Sequence, residues 1–342
     1  MADMNVLIVK ISSLGDVLHT LPAVSDAVSA NNNLRFDWVV EEGFAEIPAW
    51  HPAVKTVIPV AMRSWRKHPV KTVFSGEWRR FRQQLKATDY DVVIDAQGLI
   101  KSSIITRMAR GLRCGLDRHS AREPLSAFAY QKRMTVPWGQ HAILRVRQLF
   151  AKALDYSFDE NNLDYGIAGY FDHSKSEDPY VVFLHGTTWA TKLWPQTCWI
   201  ELAGIANDAG YSVHLPWGNM EEHKRAEVIA AGCERAVVLP AMSLVGMAEE
   251  LAGAARVVAA DSGPGHLAAA LEIPTVSIYG ATDEQLTGTC GVNQAHLSAN
   301  FECAPCLNRV CTYSGSAEVH PACYSTVTPS DVWNGFDTLI NY

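Results

Sequence analysis

Residues 256–271 read RVVAADSGPGHLAAAL: a short branched-aliphatic run, an abrupt turn of Asp261, Ser262, Gly263, Pro264, Gly265 and His266, then an alanine and leucine stretch. An unbroken apolar run with no polar alternation is what a parallel strand buried on both faces requires. Two glycines let the backbone approach a ligand closely, and Pro264 presets the first helical turn. The N–H groups left over at that helix start form an anion site suited to a diphosphate. The same pattern recurs outward from this segment. Short apolar runs at Val6–Val9, Phe36–Val40, Val92–Asp95, Tyr180–Leu184, Ser212–Leu215, Val237–Leu239 and Pro274–Tyr279 alternate with helix-length stretches such as Trp199–Ala209 and Lys224–Ala231. The spacing predicts an α/β chain with a doubly wound parallel sheet, formed twice.

A polar, acidic stretch without periodicity separates the two series. It predicts an N-terminal Rossmann-like domain over residues 1–160, a linker over 161–179 and a C-terminal domain over 180–329, with 330–342 a last helix returning to the N-terminal domain. No run approaches the length of a membrane-spanning helix, and Met1-Ala2-Asp3-Met4 lacks a basic leader region, so the expected location is cytoplasmic.

The net charge of −7 conceals a strong segregation: residues 61–147 hold 18 Lys and Arg against 6 Asp and Glu. Such an island attracts something anionic: nucleic acid, an acidic lipid surface or a phosphorylated substrate. The alternative is that these side chains only solvate helix faces. Aromatic residues are not interleaved with the cations as in single-strand binders, which argues against nucleic acid. Eight cysteines in a cytosolic chain argue against a disulfide framework. Cys303, Cys306, Cys311 and Cys323 do not follow the usual paired zinc spacing, and reduced, locally packed thiols are the simpler reading.

Ligands of open parallel sheets bind outside the carboxyl ends of the strands, so the loops there carry the candidate chemistry. After the first strand comes Lys10-Ile-Ser-Ser-Leu-Gly15-Asp16, lacking the GxGxxG fingerprint of dinucleotide binding. Asp16 is either a cap for the next helix or a carboxylate able to take a proton from an attacking hydroxyl. After the strand at 180–184 comes His185-Gly186-Thr187-Thr188-Trp-Ala-Thr-Lys192-Leu-Trp194-Pro195, a reasonable phosphate cradle or a solvated loop. His266 is either a donor or a packed histidine. The loop Pro216–Glu222 supplies a carboxylate of the kind that accepts ribose hydroxyls, and Tyr279–Asp283 is a further polar loop. Asp89-Tyr90-Asp91 has the letters of a DxD metal motif, yet it runs straight into a strand.

The stretches VLIVKISSLGDVLHTLPAV, FDWVVEEGFAEIPAWHPAV, VVIDAQGLIKS, AREPLSAFAY, HGTTWATKLWP, LPWG and DSGPGHLAAAL are collinear over nearly the whole chain. In them the sequence resembles the ADP-heptose:lipopolysaccharide heptosyltransferases, most closely the branch that adds the first core heptose. The cysteine-bearing tail is more similar to the branch that adds the second. The resemblance implies a GT-B architecture, two Rossmann-like domains facing across a cleft. It also implies an inverting, metal-independent transfer from ADP-heptose to a Kdo of Kdo2-lipid A, with ADP-heptose as substrate and no cofactor. Asp16 is then the general base. Thr187, Thr188, Lys192, Glu222, Asp261, Ser262, Gly263 and His266 hold the donor, and Lys10, Arg63, Arg66, Lys67, Lys101 and Arg122 meet the acceptor. The implied partner is the cytoplasmic surface of the inner membrane, where the enzyme sits peripherally. Rival readings are addition of the second core heptose, another GT-B nucleotide-sugar enzyme, and a non-catalytic binder of anionic glycolipid or nucleic acid.

Overall fold

In the computed structural model, which describes residues 3–67 and 76–339 but not the Arg66 side chain, the chain divides into two compact units, Met1–Ile167 and Ala168–Tyr342. Unit one is built on β1 (Met4–Val9), β2 (Leu34–Glu41), β3 (Val54–Val60), β4 (Val92–Asp95), β5 (Leu112–Leu116) and β6 (Lys132–Met134). They form one all-parallel sheet in the order β3-β2-β1-β4-β5-β6. Unit two uses β7 (Tyr180–Leu184), β8 (Ser212–Leu215), β9 (Ala236–Val238), β10 (Arg256–Ala260), β11 (Thr275–Tyr279) and β12 (Gln294–Ser298), in the order β12-β11-β10-β7-β8-β9. Counted from the start of each unit, the two orders are the same, the doubly wound pattern expected for nucleotide-binding sheets.

The central strands form where the sequence is continuously apolar, because both of their faces are covered. Val6, Leu7, Ile8 and Val9 have no exposed surface, and Val6 pairs with Phe36 on one side and Val92 on the other. Four strands were missed by that criterion. β3, β6 and β12 are edge strands with exposed or polar positions, while β5 carries Arg113, Cys114 and Gly115. Gly115 is required by packing. A Cβ there would lie 2.5 Å from the Tyr130 ring, whose hydroxyl donates to buried Asp95 at 2.7 Å.

Arg147, counted in sequence with the basic island, is a structural residue. It is 2% exposed, and its guanidinium donates to both oxygens of Asp26, at 2.6 and 3.0 Å. It also donates to the carbonyls of Asp159, Glu160 and Asn162, fastening the end of unit one to the helix Leu21–Ala30. The predicted linker therefore begins as an ordered part of this unit.

The helix Pro329–Asn334 and the turn after it are part of unit two. Val332 and Phe336 are buried with Trp199 and Leu202 of the helix Gln196–Asp208. Arg256 sits over the rings of Tyr211, Trp333 and Phe336 at 5.3, 5.2 and 4.8 Å. The segment's apolar face finds its partner locally, and residues 340–342 lie outside the described range. Among the described residues no helix is long and apolar enough to cross a membrane.

Replacing Arg147 by Met leaves the Asp26 charge unpaired in the interior and is expected to cost about 3–5 kcal/mol in urea unfolding, most of it restored by adding Asp26→Leu. A loss below about 1 kcal/mol would mean that the pair is not what fastens this part of the unit.

Candidate active site

In each sheet the strand order reverses beside the first strand, between β1 and β4 and again between β7 and β10. At such a switch point the two following loops diverge to opposite faces and leave a crevice. The candidate residues are concentrated on those loops.

In unit one, Lys10 follows β1 directly and is 5% exposed. Its ammonium donates to the Ala96 carbonyl at 3.1 Å and stands 3.4 Å from Asp16 Oδ1. Asp16 is not itself the helix cap. Ser13 holds that position, and its N–H and hydroxyl both donate to Asp16 Oδ2 at 2.8 Å, while Asp16 occupies the first turn of the helix Leu14–Leu18. Burial works to raise the Asp16 pKa, but Lys10, the Ser13 donors and His19 outweigh it and hold the carboxyl at about 2. The carboxylate is thus ionised at neutral pH. Its side chain keeps 43% of its surface open, so a reacting group can reach it.

Gln97 joins this loop to the one after β4. Its Oε1 accepts from the N–H groups of Ile11 and Ser12 at 2.9 and 3.2 Å, and its Nε2 donates to the Ser12 carbonyl at 2.6 Å. Asp95 supports Gln97 from beneath, accepting from the N–H groups of Gln97 and Gly98 as well as from Tyr130. Burial raises the Asp95 pKa, against those hydrogen bonds. Reading residues one loop at a time missed Gln97, although it lies within one of the stretches that carry the resemblance.

Of the expected acceptor residues, Lys10 and Lys101 meet at this loop, with Lys101 Nζ 3.3 Å from Ser12 Oγ. Arg63 and Lys67 are exposed on the helix Met62–Lys67 that follows β3, and Arg122 is exposed on the loop after β5. The Arg66 side chain lies outside the described residues. All of these positions follow the carboxyl ends of parallel strands, so they share one edge of the sheet.

In unit two, Asp261 directly follows β10 and is 7% exposed. Its carboxylate accepts from Thr282 and pairs with Lys192 at 2.7 Å, while its carbonyl accepts from Thr187 at 2.9 Å. Lys192 also lies over the Trp189 ring at 4.5 Å. Its charge is therefore shared with Asp261 and is not a bare phosphate contact. Thr282 lies on the polar loop after β11 that the sequence marked, and the fold brings it to Asp261. Ser262 caps the helix Gly263–Ala270, and its hydroxyl is buried with no hydrogen-bond partner among the described residues. A buried hydroxyl at a helix N-terminus is chemically suited to an anion. His266 is buried in the first turn of the same helix. Glu222 accepts from the Gly218 N–H at 2.7 Å, and a Cβ on Gly186 would meet its carboxyl carbon at 2.5 Å, so it packs on the loop after β7. Thr188 is exposed on that loop.

The letters of the DxD motif have a structural role. The Asn5 N–H donates to Asp91 at 2.8 Å and Arg110 pairs with Asp89, both before the start of β4 and away from the ligand edge. All eight cysteines are free thiols, Cys303 exposed and Cys323 buried. Among the described residues no group of three or more His, Cys, Asp or Glu is placed to hold a metal ion.

Two parallel sheets of this order in one chain, each with polar loops at its switch point, agree with the GT-B class of glycosyltransferases. The sequence profile of glycosyltransferase family 9 (heptosyltransferase) matches residues 78–317. The chain is 53% identical over 352 residues to lipopolysaccharide heptosyltransferase 1 of Pseudomonas aeruginosa, covering 98% of each. It is 50% identical to lipopolysaccharide heptosyltransferase 1 of Escherichia coli K12, covering 85% of this chain and 92% of that one. A solved structure of E. coli heptosyltransferase WaaC with ADP matches with a TM-score of 0.87 and 45% identity, over 98% of this chain and 99% of that chain. The same enzyme with ADP-2-deoxy-2-fluoro heptose matches with a TM-score of 0.83 and 44% identity, over 98% of this chain and 99% of that chain. The chain belongs to glycosyltransferase family 9, the heptosyltransferases.

Replacing Lys10 by Met removes the cation opposing the burial of Asp16, so the Asp16 pKa rises. A group with a depressed pKa is ionised at every pH above that value. The acid limb of the kcat/KM profile is therefore expected to move upward by about one unit or more in Lys10→Met. An unmoved limb would remove Lys10 as the group that sets the charge of Asp16.

Proposed function

We propose that the chain transfers L-glycero-D-manno-heptose from ADP-heptose to a Kdo of Kdo2-lipid A, with inversion at the anomeric carbon and Asp16 as general base. Family membership and near full-length similarity to lipopolysaccharide heptosyltransferase 1 support the reaction class and the first heptose position. The observation that carries the mechanism is the ionised, solvent-open Asp16 carboxylate held at the strand-order reversal of unit one.

In this reading the acceptor hydroxyl oxygen bonds to the anomeric carbon as the bond from that carbon to the diphosphate oxygen breaks. ADP leaves with the electron pair, and the hydroxyl proton passes to Asp16. A carboxylate with a pKa of about 2 is a weak base, so proton transfer follows C–O bond formation, when the attacking oxygen has become acidic. Negative charge then grows on the departing diphosphate. The N-terminus of the helix Gly263–Ala270, the Ser262 hydroxyl and Lys192 are the groups of unit two suited to meet it. Thr187, Thr188, Asp261, Gly263 and His266 complete the donor site, and Glu222 takes the ribose hydroxyls. Lys10, Arg63, Arg66, Lys67, Lys101 and Arg122 meet the phosphates and carboxylates of the acceptor, which places the enzyme peripherally on the cytoplasmic face of the inner membrane. The step needs no cofactor and no catalytic metal.

The direct test is mass-spectrometric detection of one heptose added to Kdo2-lipid A in the presence of ADP-heptose. Asp16→Ala is expected to lower kcat by about 10²–10⁴-fold with ADP affinity by calorimetry nearly unchanged, and retained turnover would remove Asp16 from the chemistry. Neutralising Arg63 and Lys67 together is expected to raise the acceptor KM about tenfold or more while the donor KM holds. An equal rise in both would detach these cations from the acceptor.

A further inference from the structure

Unit one carries an exposed apolar face that the transfer reaction does not use. Ile100 and Ile104 lie one turn apart on the helix Ile100–Met108, 43% and 54% exposed. Leu125 and Phe128 lie three residues apart on the 3-10 turn Pro124–Ala129, where such positions eclipse, and are 65% and 71% exposed. The two elements pack on each other, and Glu123, just before the turn, accepts from the Ile100 N–H at 2.6 Å. Four large apolar side chains therefore crown adjoining elements in place of the polar residues that solvent favours.

Cations border the face. Lys101 follows Ile100 and reaches Ser12 Oγ in the Asp16 loop, and Arg122 precedes the turn on its exposed loop. Both belong to the segment with 18 Lys and Arg against 6 Asp and Glu. Apolar side chains rimmed by positive charge complement one surface in particular, a bilayer with anionic headgroups, where apolar insertion and electrostatic attraction reinforce each other.

We infer that Ile100, Ile104, Leu125 and Phe128 dock unit one on an anionic lipid bilayer, with Lys101 and Arg122 at the headgroups. The inference rests on the reading of the acceptor as a membrane lipid and names the surface by which the enzyme reaches it. Since Lys101 joins this face to the Asp16 loop, docking here brings headgroup sugars to the edge of the sheet where the acceptor residues lie.

The test is flotation of the full chain with vesicles of phosphatidylglycerol and phosphatidylethanolamine, against vesicles of phosphatidylcholine alone. The chain is expected to bind the anionic vesicles, less so at high salt, and the double variant Leu125→Ser, Phe128→Ser is expected to bind them about tenfold or more weakly. Because both side chains are already exposed, the thermal unfolding of the variant and its turnover of a deacylated, water-soluble acceptor should match the parent. Undiminished binding by the variant, or equal binding to phosphatidylcholine, would overturn the inference. So would a dimer of the parent that the variant loses, or a raised KM for acylated acceptor in detergent with vesicle binding intact. Absence of turnover in the parent would count against the transfer reaction alone, since flotation reads docking independently.

Discussion

A parallel sheet whose strand order reverses beside its first strand cannot cover that position with helices from both sides, and the rest of this molecule is arranged around the consequence. The loops after β1 and β4 flank one such gap, and those after β7 and β10 flank the other. A gap of this kind exposes backbone polar groups that need partners. In unit one Gln97 supplies them for Ile11 and Ser12, and in unit two Thr187 and Lys192 bind the residue that directly follows β10. The same folding rule thus produces two polar sites from two unrelated loop sequences.

The two sites differ in charge and in what they can do. Unit one presents a solvent-open carboxylate whose ionisation is secured by a buried lysine, a combination suited to receiving a proton. Unit two presents a helix N-terminus, a buried hydroxyl with no partner among the described residues and a lysine already balanced by an aspartate, a combination suited to an anion that gains charge as it departs. Lys192, shared with Asp261, can take up part of that charge without standing alone in an empty site. Membership of a heptosyltransferase family agrees with this division, since glycosyl transfer from a nucleotide diphosphate needs one group of each kind.

Burial decides which of the many cations serve a ligand. Arg147 is consumed by Asp26 and three carbonyls, whereas Arg63, Lys67 and Arg122 remain in solvent. Net charge in a sequence window counts all of them alike. Arg147 is thereby removed from the working charge of the surface, whereas Arg79, Arg80, Arg82, Arg107, Lys132 and Arg133 stay exposed on other elements of the unit.

The sequence by itself determined the α/β class, the central strands and the loops worth reading, because a strand buried on both faces must be continuously apolar and a phosphate-binding turn must contain glycine. Through its resemblance to a known family it also pointed to the reaction and to Asp16. It left β3, β5, β6 and β12 undetected, since an edge strand, or one shaped around a ring as Gly115 is around Tyr130, has no such constraint on its composition. The contacts of Gln97 with Ile11 and of Thr282 with Asp261, and the inclusion of Val332 and Phe336 in the second core, were decided only by tertiary structure. Each joins residues far apart in the chain, and the strength of such a contact depends on a distance that no local pattern of residues records.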